Sequence, residues 1–169
     1  RGLGDVYKRQ GDRDFYCWQE KGHGVVNGRQ AIAQSCDVYF YQIALKTGIE
    51  RIHNMAKRMG LGEITNVGIP DEKVGIMPNR EWKKNTRGTV WTPGETVIAG
   101  IGQGFVLTTP IQLSVMTARL ANGKKAVKAK LLSEATKNSD DFLPLNINSS
   151  VLREIQRSMR SVISRSRGT

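Results

Sequence analysis

Ser35 and Asp37, separated by Cys36 and followed by the aromatic run Val38-Tyr39-Phe40-Tyr41, are the pair in this chain best suited to handling a proton. A hydroxyl donates and accepts at once, so it can pass a proton between two neighbours, while a carboxylate nearby holds a donor by hydrogen bonds. The same letters also suit an ordinary helix N-cap, because Ser or Asp ahead of a helix satisfies amides that have no intrahelical partner. A second group overlaps the first. Cys17, His23 and Cys36, spaced C-x5-H-x12-C, are three side chains of the kinds that bind zinc. A closed structural site takes four ligands and the fourth is missing here, with Asp12 and Asp14 as weak substitutes. The competing readings are a packed Cys36 thiol, a His23 that merely caps the Gly22–Gly24 turn, and a Cys17–Cys36 disulfide in an oxidising compartment.

Other segments invite chemistry and do not sustain it. Gly100-Ile101-Gly102-Gln103-Gly104 has the glycine density of a phosphate loop, but the spacing fits neither a dinucleotide fingerprint nor a Walker loop, and Phe105 stands where the latter needs lysine. It reads as a tight turn flanking a sheet. Trp18, Trp82 and Trp91 fall in loop-rich stretches, where large aromatics serve as core anchors more readily than as sugar-stacking platforms. His53 falls on the polar side of its helix and reads as solvated.

The elements that must position these residues are mainly helical. A short segment at residues 28–34 leads into a helix over residues 37–47, whose Val38, Tyr39, Phe40, Ile43, Ala44 and Leu45 leave little polar face. Ser35-Cys36-Asp37 therefore falls in a bend between two helices. Gly48 breaks the run, and Ile49, Ile52, Met55, Ala56 and Met59 then form the apolar stripe of an amphipathic helix that stops at Gly60. Residues 61–93 read as loops and small strands, with room for a short helix near 80–84. Thr109 and Pro110 supply the N-cap and first residue of a helix running to Leu120 and closed by Asn122-Gly123. Residues 126–132 alternate weakly enough to predict a strand, and residues 150–163 a helix. Residues 1–10 carry no apolar periodicity and read as a non-native leader set aside from the fold, leaving 11–169 as a domain cut at both ends.

Composition bounds the partners. The net charge is +11 from 26 Lys and Arg against 15 Asp and Glu, but the cations are spread as pairs such as Lys57-Arg58 and Lys124-Lys125 without a dense block, so nucleic acid is not expected. No apolar run reaches the roughly 20 residues that span a bilayer.

In order along the chain stand Gly22-His23-Gly24, Ser35-Cys36-Asp37-Val38-Tyr39-Phe40-Tyr41, Met59-Gly60-Leu61-Gly62, Gly75-Ile76-Met77-Pro78 with Trp82, Gly100-Ile101-Gly102-Gln103-Gly104, Thr109-Pro110-Ile111-Gln112-Leu113 and Leu120-Ala121-Asn122-Gly123. Together they resemble the transpeptidase domain of the penicillin-binding protein 2 family, the class B D,D-transpeptidases of rod-type wall elongation, from about Phe15 to Thr169. The resemblance implies the α/β (α+β) penicillin-recognising fold shared with serine β-lactamases, a five-stranded antiparallel sheet with helices on both sides, present here incompletely and mainly as its helical part. It implies a parent that cross-links peptidoglycan stem peptides through an acyl-serine intermediate and is acylated by β-lactams. It further implies a wall-elongation glycosyltransferase partner and a place on the periplasmic face of the bacterial inner membrane, the anchor lying outside this fragment.

Of the family's motif set, S-x-x-K, S-D-N and K-T-G, Ser35-x-Asp37 matches the second, with Asp37 where many relatives have Asn. By resemblance, Ser35 relays a proton between the catalytic lysine and the leaving amine, and Asp37 holds the acyl-donor peptide. None of the ten serines has Lys three residues on, so the nucleophile and its base are absent and the fragment is expected to be inactive. Lys46-Thr47-Gly48 matches the third motif in letters alone, because these residues end a buried helix where the motif needs a strand edge. Catalysis in the family needs no cofactor. The resemblance does imply a structural zinc in the intact parent, held by His23 and Cys36, by Cys17, and by an upstream ligand that this chain lacks. Two alternatives stand beside this reading: a basic domain that binds an anionic polymer, and a β-lactamase or sensor of the same fold.

Overall fold

The computed structural model describes residues 7–131 and 143–164. Two short strands, β1 (Tyr7–Gln10) and β2 (Arg13–Tyr16), pair antiparallel with Tyr7 opposite Tyr16 and Gln10 opposite Arg13. Gly11 makes the turn between them at a φ of +65°. The hairpin begins inside the stretch that shows no apolar periodicity, with Tyr7 to Gln10 forming β1. Cross-strand packing of the Tyr7 and Tyr16 rings, 5.7 Å apart, gives those residues their place.

Seven helices follow among the described residues: α1 (Gly28–Ala33), α2 (Asp37–Thr47), α3 (Ile49–Arg58), α4 (Arg80–Arg87), α5 (Pro93–Ala99), α6 (Pro110–Asn122) and α7 (Ser149–Ser164). Their ends are set by local chemistry. Asn27, Thr92 and Thr109 each form a capping box with the residue three further on, and Pro93 and Pro110 occupy first-turn positions where a missing N–H costs nothing. Asn79 caps α4 by accepting from the Trp82 amide at 2.8 Å. Lys46 and Thr47 complete the last turn of α2, and Gly48 at φ +79° joins it to α3, so the Lys46-Thr47-Gly48 letters lie at a helix end.

One expected strand is not there. Residues 126–131 contain no strand; beside the isolated bridge between Lys125 and Pro144, the Ala126 amide donates to the Leu143 carbonyl at 2.8 Å and Arg119 Nε to the Val127 carbonyl at 3.0 Å, and Leu132 lies outside the described residues. The apolar side of the alternation is Val127, Ala129 and Leu131 alone, and Leu131 stays 68% exposed, so the segment finds too little among the described residues to bury that face against. The loops of residues 61–79 likewise hold one isolated bridge, Ile76 to Leu107, in place of small strands. Helix α5 falls at the end of the stretch read as loop, and the glycine-rich run at 100–104 follows that helix, flanking no sheet.

The core lies where α1, α2 and α5 meet. Val26, Ala31, Val38, Tyr41 and Val97 are buried together with Cys17 and Cys36. Gly100 lets α5 approach α2 closely, since a Cβ there would collide with the Ala44 methyl. A second cluster joins Ile49, Trp91 and Ala99. Beside it the buried Lys83 ammonium pairs with Glu95 and donates to the Val90 carbonyl at 2.7 Å, so neither charge lacks a partner. Fully buried Gln112 on α6 donates through Nε2 to the carbonyls of Glu63 (2.8 Å) and Val74 (2.7 Å), tying the long loop to the helix.

Candidate functional site

Helix α1 ends in a Schellman turn. The Cys36 amide donates to the Ala31 carbonyl at 2.9 Å and the Ser35 amide to the Ile32 carbonyl at 3.4 Å, which puts Ser35 at the left-handed position with a φ of +51°. Glycine ordinarily fills that position, and an L-residue there costs about 1 to 2 kcal/mol. The bend therefore holds a side chain at a place where the backbone alone would favour none. The Ser35 side chain is exposed, and Asp37, half-buried, opens α2 two residues later. The N-cap of α2 is Cys36, which makes no side-chain capping bond, so neither Ser35 nor Asp37 fills the ordinary N-cap role. Asp37 in the first turn is placed favourably toward the helix dipole.

Trp18 connects the chain after β2 to this bend. Its backbone amide donates to Asp37 Oδ2 at 3.0 Å, and its indole Nε1–H donates to the Ser35 carbonyl at 2.8 Å. Sequence offered no sign of this: Trp18 reads there as a core anchor, whereas its side chain is 54% exposed. Trp91 is the buried anchor of that reading, with its Nε1–H on Thr96 Oγ1 at 2.8 Å, and Trp82 is half-buried against Phe105 at 5.3 Å.

The fold brings the Cys/His group together. Ligand atoms of Cys17, His23 and Cys36 all lie within 4.8 Å of one another, and Cys17 Sγ is 3.3 Å from His23 Nδ1. Both cysteines are buried free thiols. Burial, reinforced by Cys17 nearby, pushes the Cys36 thiol above its usual range, against a backbone hydrogen bond at Tyr39 that pulls the other way. Separations of this size let three donors converge on one tetrahedral ion with little movement, so the donor set fits a zinc with one position unfilled. Asp12 and Asp14, on the hairpin, do not join the group. His23 does more than cap its turn: its ring sits edge-on to Trp18, with centroids 5.5 Å apart, so the Cys/His group and the Ser35–Asp37 bend share a wall. Below them Tyr41 donates to the Tyr16 carbonyl at 3.2 Å; burial first, then Asp37, pushes its hydroxyl up to about 12. His53 is not solvated as its sequence position suggests, because Nδ1 lies 2.9 Å from the Met77 carbonyl.

Three comparisons bear on this arrangement. The family model for the penicillin binding protein transpeptidase domain matches residues 5–169. The chain is 41% identical over 132 residues to the peptidoglycan D,D-transpeptidase MrdA of Acinetobacter baumannii and 38% identical over 123 residues to that of Salmonella typhimurium, covering 78% and 72% of this chain. It spans 20% of the length of those relatives. Among solved structures, PBP2 of Pseudomonas aeruginosa in complex with WCK 5153 superposes with a TM-score of 0.89 at 36% identity, covering 98% of this chain and 38% of the other. PBP2 of Helicobacter pylori in complex with MreC superposes at 0.87 and 32%, covering 98% and 31%.

Proposed function

This chain belongs to the penicillin-binding protein transpeptidase family, and on that premise we propose that it supplies the Ser35–Asp37 wall of the active-site cleft of a peptidoglycan D,D-transpeptidase. In the parent protein, the nucleophilic serine attacks the stem-peptide carbonyl, the acyl-serine forms, and the leaving amine departs with a proton. Ser35 Oγ accepts that proton from the catalytic lysine on one side and donates to the amine on the other, while Asp37 accepts from a backbone N–H of the acyl-donor peptide. β-Lactams acylate the same nucleophile. The observation that carries the reading is the exposed Ser35 hydroxyl in a left-handed backbone conformation, because strain of this kind persists where the side chain is required.

The 169 residues alone are expected to form no acyl-enzyme, since none of their serines is followed three residues later by lysine. Zinc belongs to the same proposal. Cys17, His23 and Cys36 would hold it with a fourth donor from the parent or from water, and the ion would supply a cross-link between the chain after β2 and the start of α2. No catalytic step runs through it. Among the described residues no helix is long and apolar enough to cross a membrane, and the periplasmic location, the stem-peptide and β-lactam ligands and the wall-elongation glycosyltransferase partner are proposed for the parent as a whole.

Fluorescent penicillin provides the test. The parent is expected to be labelled and the 169-residue chain not. A covalent label on any serine within residues 11–169 would overturn the assignment of the nucleophile to another part of the parent.

A further inference from the structure

We infer that Trp18 is a positioning residue for the Ser35–Asp37 pair, holding both members of the bend from outside the motif. The inference rests on the reading of Ser35 and Asp37 proposed above. One residue makes both contacts: its amide reaches Asp37 Oδ2 at 3.0 Å, and its indole N–H reaches the Ser35 carbonyl at 2.8 Å. The amide bond engages one carboxylate oxygen, Oδ2, and so restrains the rotation of the Asp37 carboxylate at the start of α2. The indole bond holds the Ser35 carbonyl, which a rotation about the Ser35 N–Cα bond away from the left-handed φ of +51° would carry off its donor.

The ring has no comparable role in the core. It is 54% exposed, and among the described residues its one aromatic neighbour is the His23 imidazole at 5.5 Å. A tryptophan kept at the surface with its N–H aimed at a backbone carbonyl contributes direction more than burial. A serine in a glycine conformation has an alternative available to it, since relaxing to negative φ would swing the hydroxyl off the line between a lysine and a leaving amine. Two hydrogen bonds from a single residue oppose that relaxation. Loss of the indole bond falls on the rate of acylation and leaves ligand affinity alone, because it acts on the relay serine while the Trp18 backbone amide keeps its bond to Asp37, the group that holds the peptide.

The experiment compares full-length parent protein with its Trp18→Phe and Ser35→Gly variants, separating the limiting acylation rate by fluorescent penicillin from the dissociation constant of the preceding complex. Phenylalanine keeps an aromatic ring and removes the indole N–H together with the pyrrole half of the ring system, leaving the backbone amide bond to Asp37 in place. Trp18→Phe is expected to lower the limiting rate about tenfold, the scale of one lost hydrogen bond, with the dissociation constant within about twofold of wild type. It should also widen the spread of the pH–rate profile toward that of Ser35→Gly. A wild-type limiting rate in Trp18→Phe alongside a slow Ser35→Gly overturns the positioning role and leaves the proposed function standing. A wild-type rate in Ser35→Gly overturns the proposed function itself, and the positioning role with it. Should Trp18→Phe fold poorly, the unmodified parent with 15N-labelled indoles gives a second readout. The Trp18 Nε1–H is expected to exchange with solvent at least about tenfold more slowly than a free indole despite its exposed ring, and exchange at the free rate overturns the inference.

Discussion

Two tryptophans in this chain make nearly identical hydrogen bonds and do different work. Trp91 Nε1–H and Trp18 Nε1–H each donate over 2.8 Å, the first to a threonine hydroxyl and the second to a backbone carbonyl. Trp91 is 5% exposed, packed with Ile49 and Ala99, and lies near the paired charges of Lys83 and Glu95. Trp18 stands largely in solvent over a strained bend. Equal bond lengths thus say nothing about consequence. Burial separates the two donors: that of Trp91 sits inside the core, and that of Trp18 over the bend proposed to carry the relay serine.

The contrast breaks if the two regions respond alike to substitution. Trp91→Ala in the parent is expected to cost about 3 to 5 kcal/mol in chemical denaturation, the range for removing a buried aromatic, with any loss of acylation following the loss of folded protein. Glu95→Gln is expected to cost about 3 kcal/mol, because it strands the buried Lys83 ammonium. Burial tends to raise the Glu95 carboxyl, but Lys83 and the Thr92 amide and hydroxyl outweigh it and hold the group below the ordinary carboxylate range. A carboxyl depressed in the folded state contributes stability that is fully present above its unfolded value near about 4.3 and is lost as pH falls through the lower folded value. Acid denaturation below about pH 4 is therefore expected to narrow the gap between wild type and Glu95→Gln.

The exposed region should answer in the opposite currency. Ser35→Gly is expected to leave the melting temperature unchanged or slightly raised, since glycine accepts the left-handed conformation, while slowing acylation by about a hundredfold, or about 2.7 kcal/mol of barrier. Loss of stability without loss of rate would reassign Ser35 to a structural role. The smallest effect belongs to Trp18→Ala, expected to shift denaturation by less than about 1 kcal/mol, as one partly exposed hydrogen bond and a little apolar area are removed.

How far the sequence foretold this arrangement depended on the reach of each signal. Helices α2, α3, α6 and α7 follow from apolar periodicity and from end signals such as Thr109-Pro110 and Gly48, all of which act within a few residues. The bend at Ser35 and the three-residue Cys/His group were also legible, because residue types carry their chemistry with them. Helix α5 was not, although Thr92-Pro93 with Glu95 is a complete capping signal; at seven residues it offers too few positions for a period to emerge, and the surrounding glycines and prolines suggested loop. Trp18 was missed for a different reason. Its partners lie 17 and 19 residues away, and only the folded path of the chain brings an indole from beyond β2 over a turn between two helices. His53 reached the Met77 carbonyl across a similar gap.

Gln112 fastens the 61–79 loop to α6 with an uncharged amide that bridges two main-chain oxygens. A clasp of that kind has no proton to gain near neutrality and no counterion to shed. The loop should accordingly keep its seat in brine and in mild acid alike, even where the nearby Lys57–Glu63 pair has been screened away.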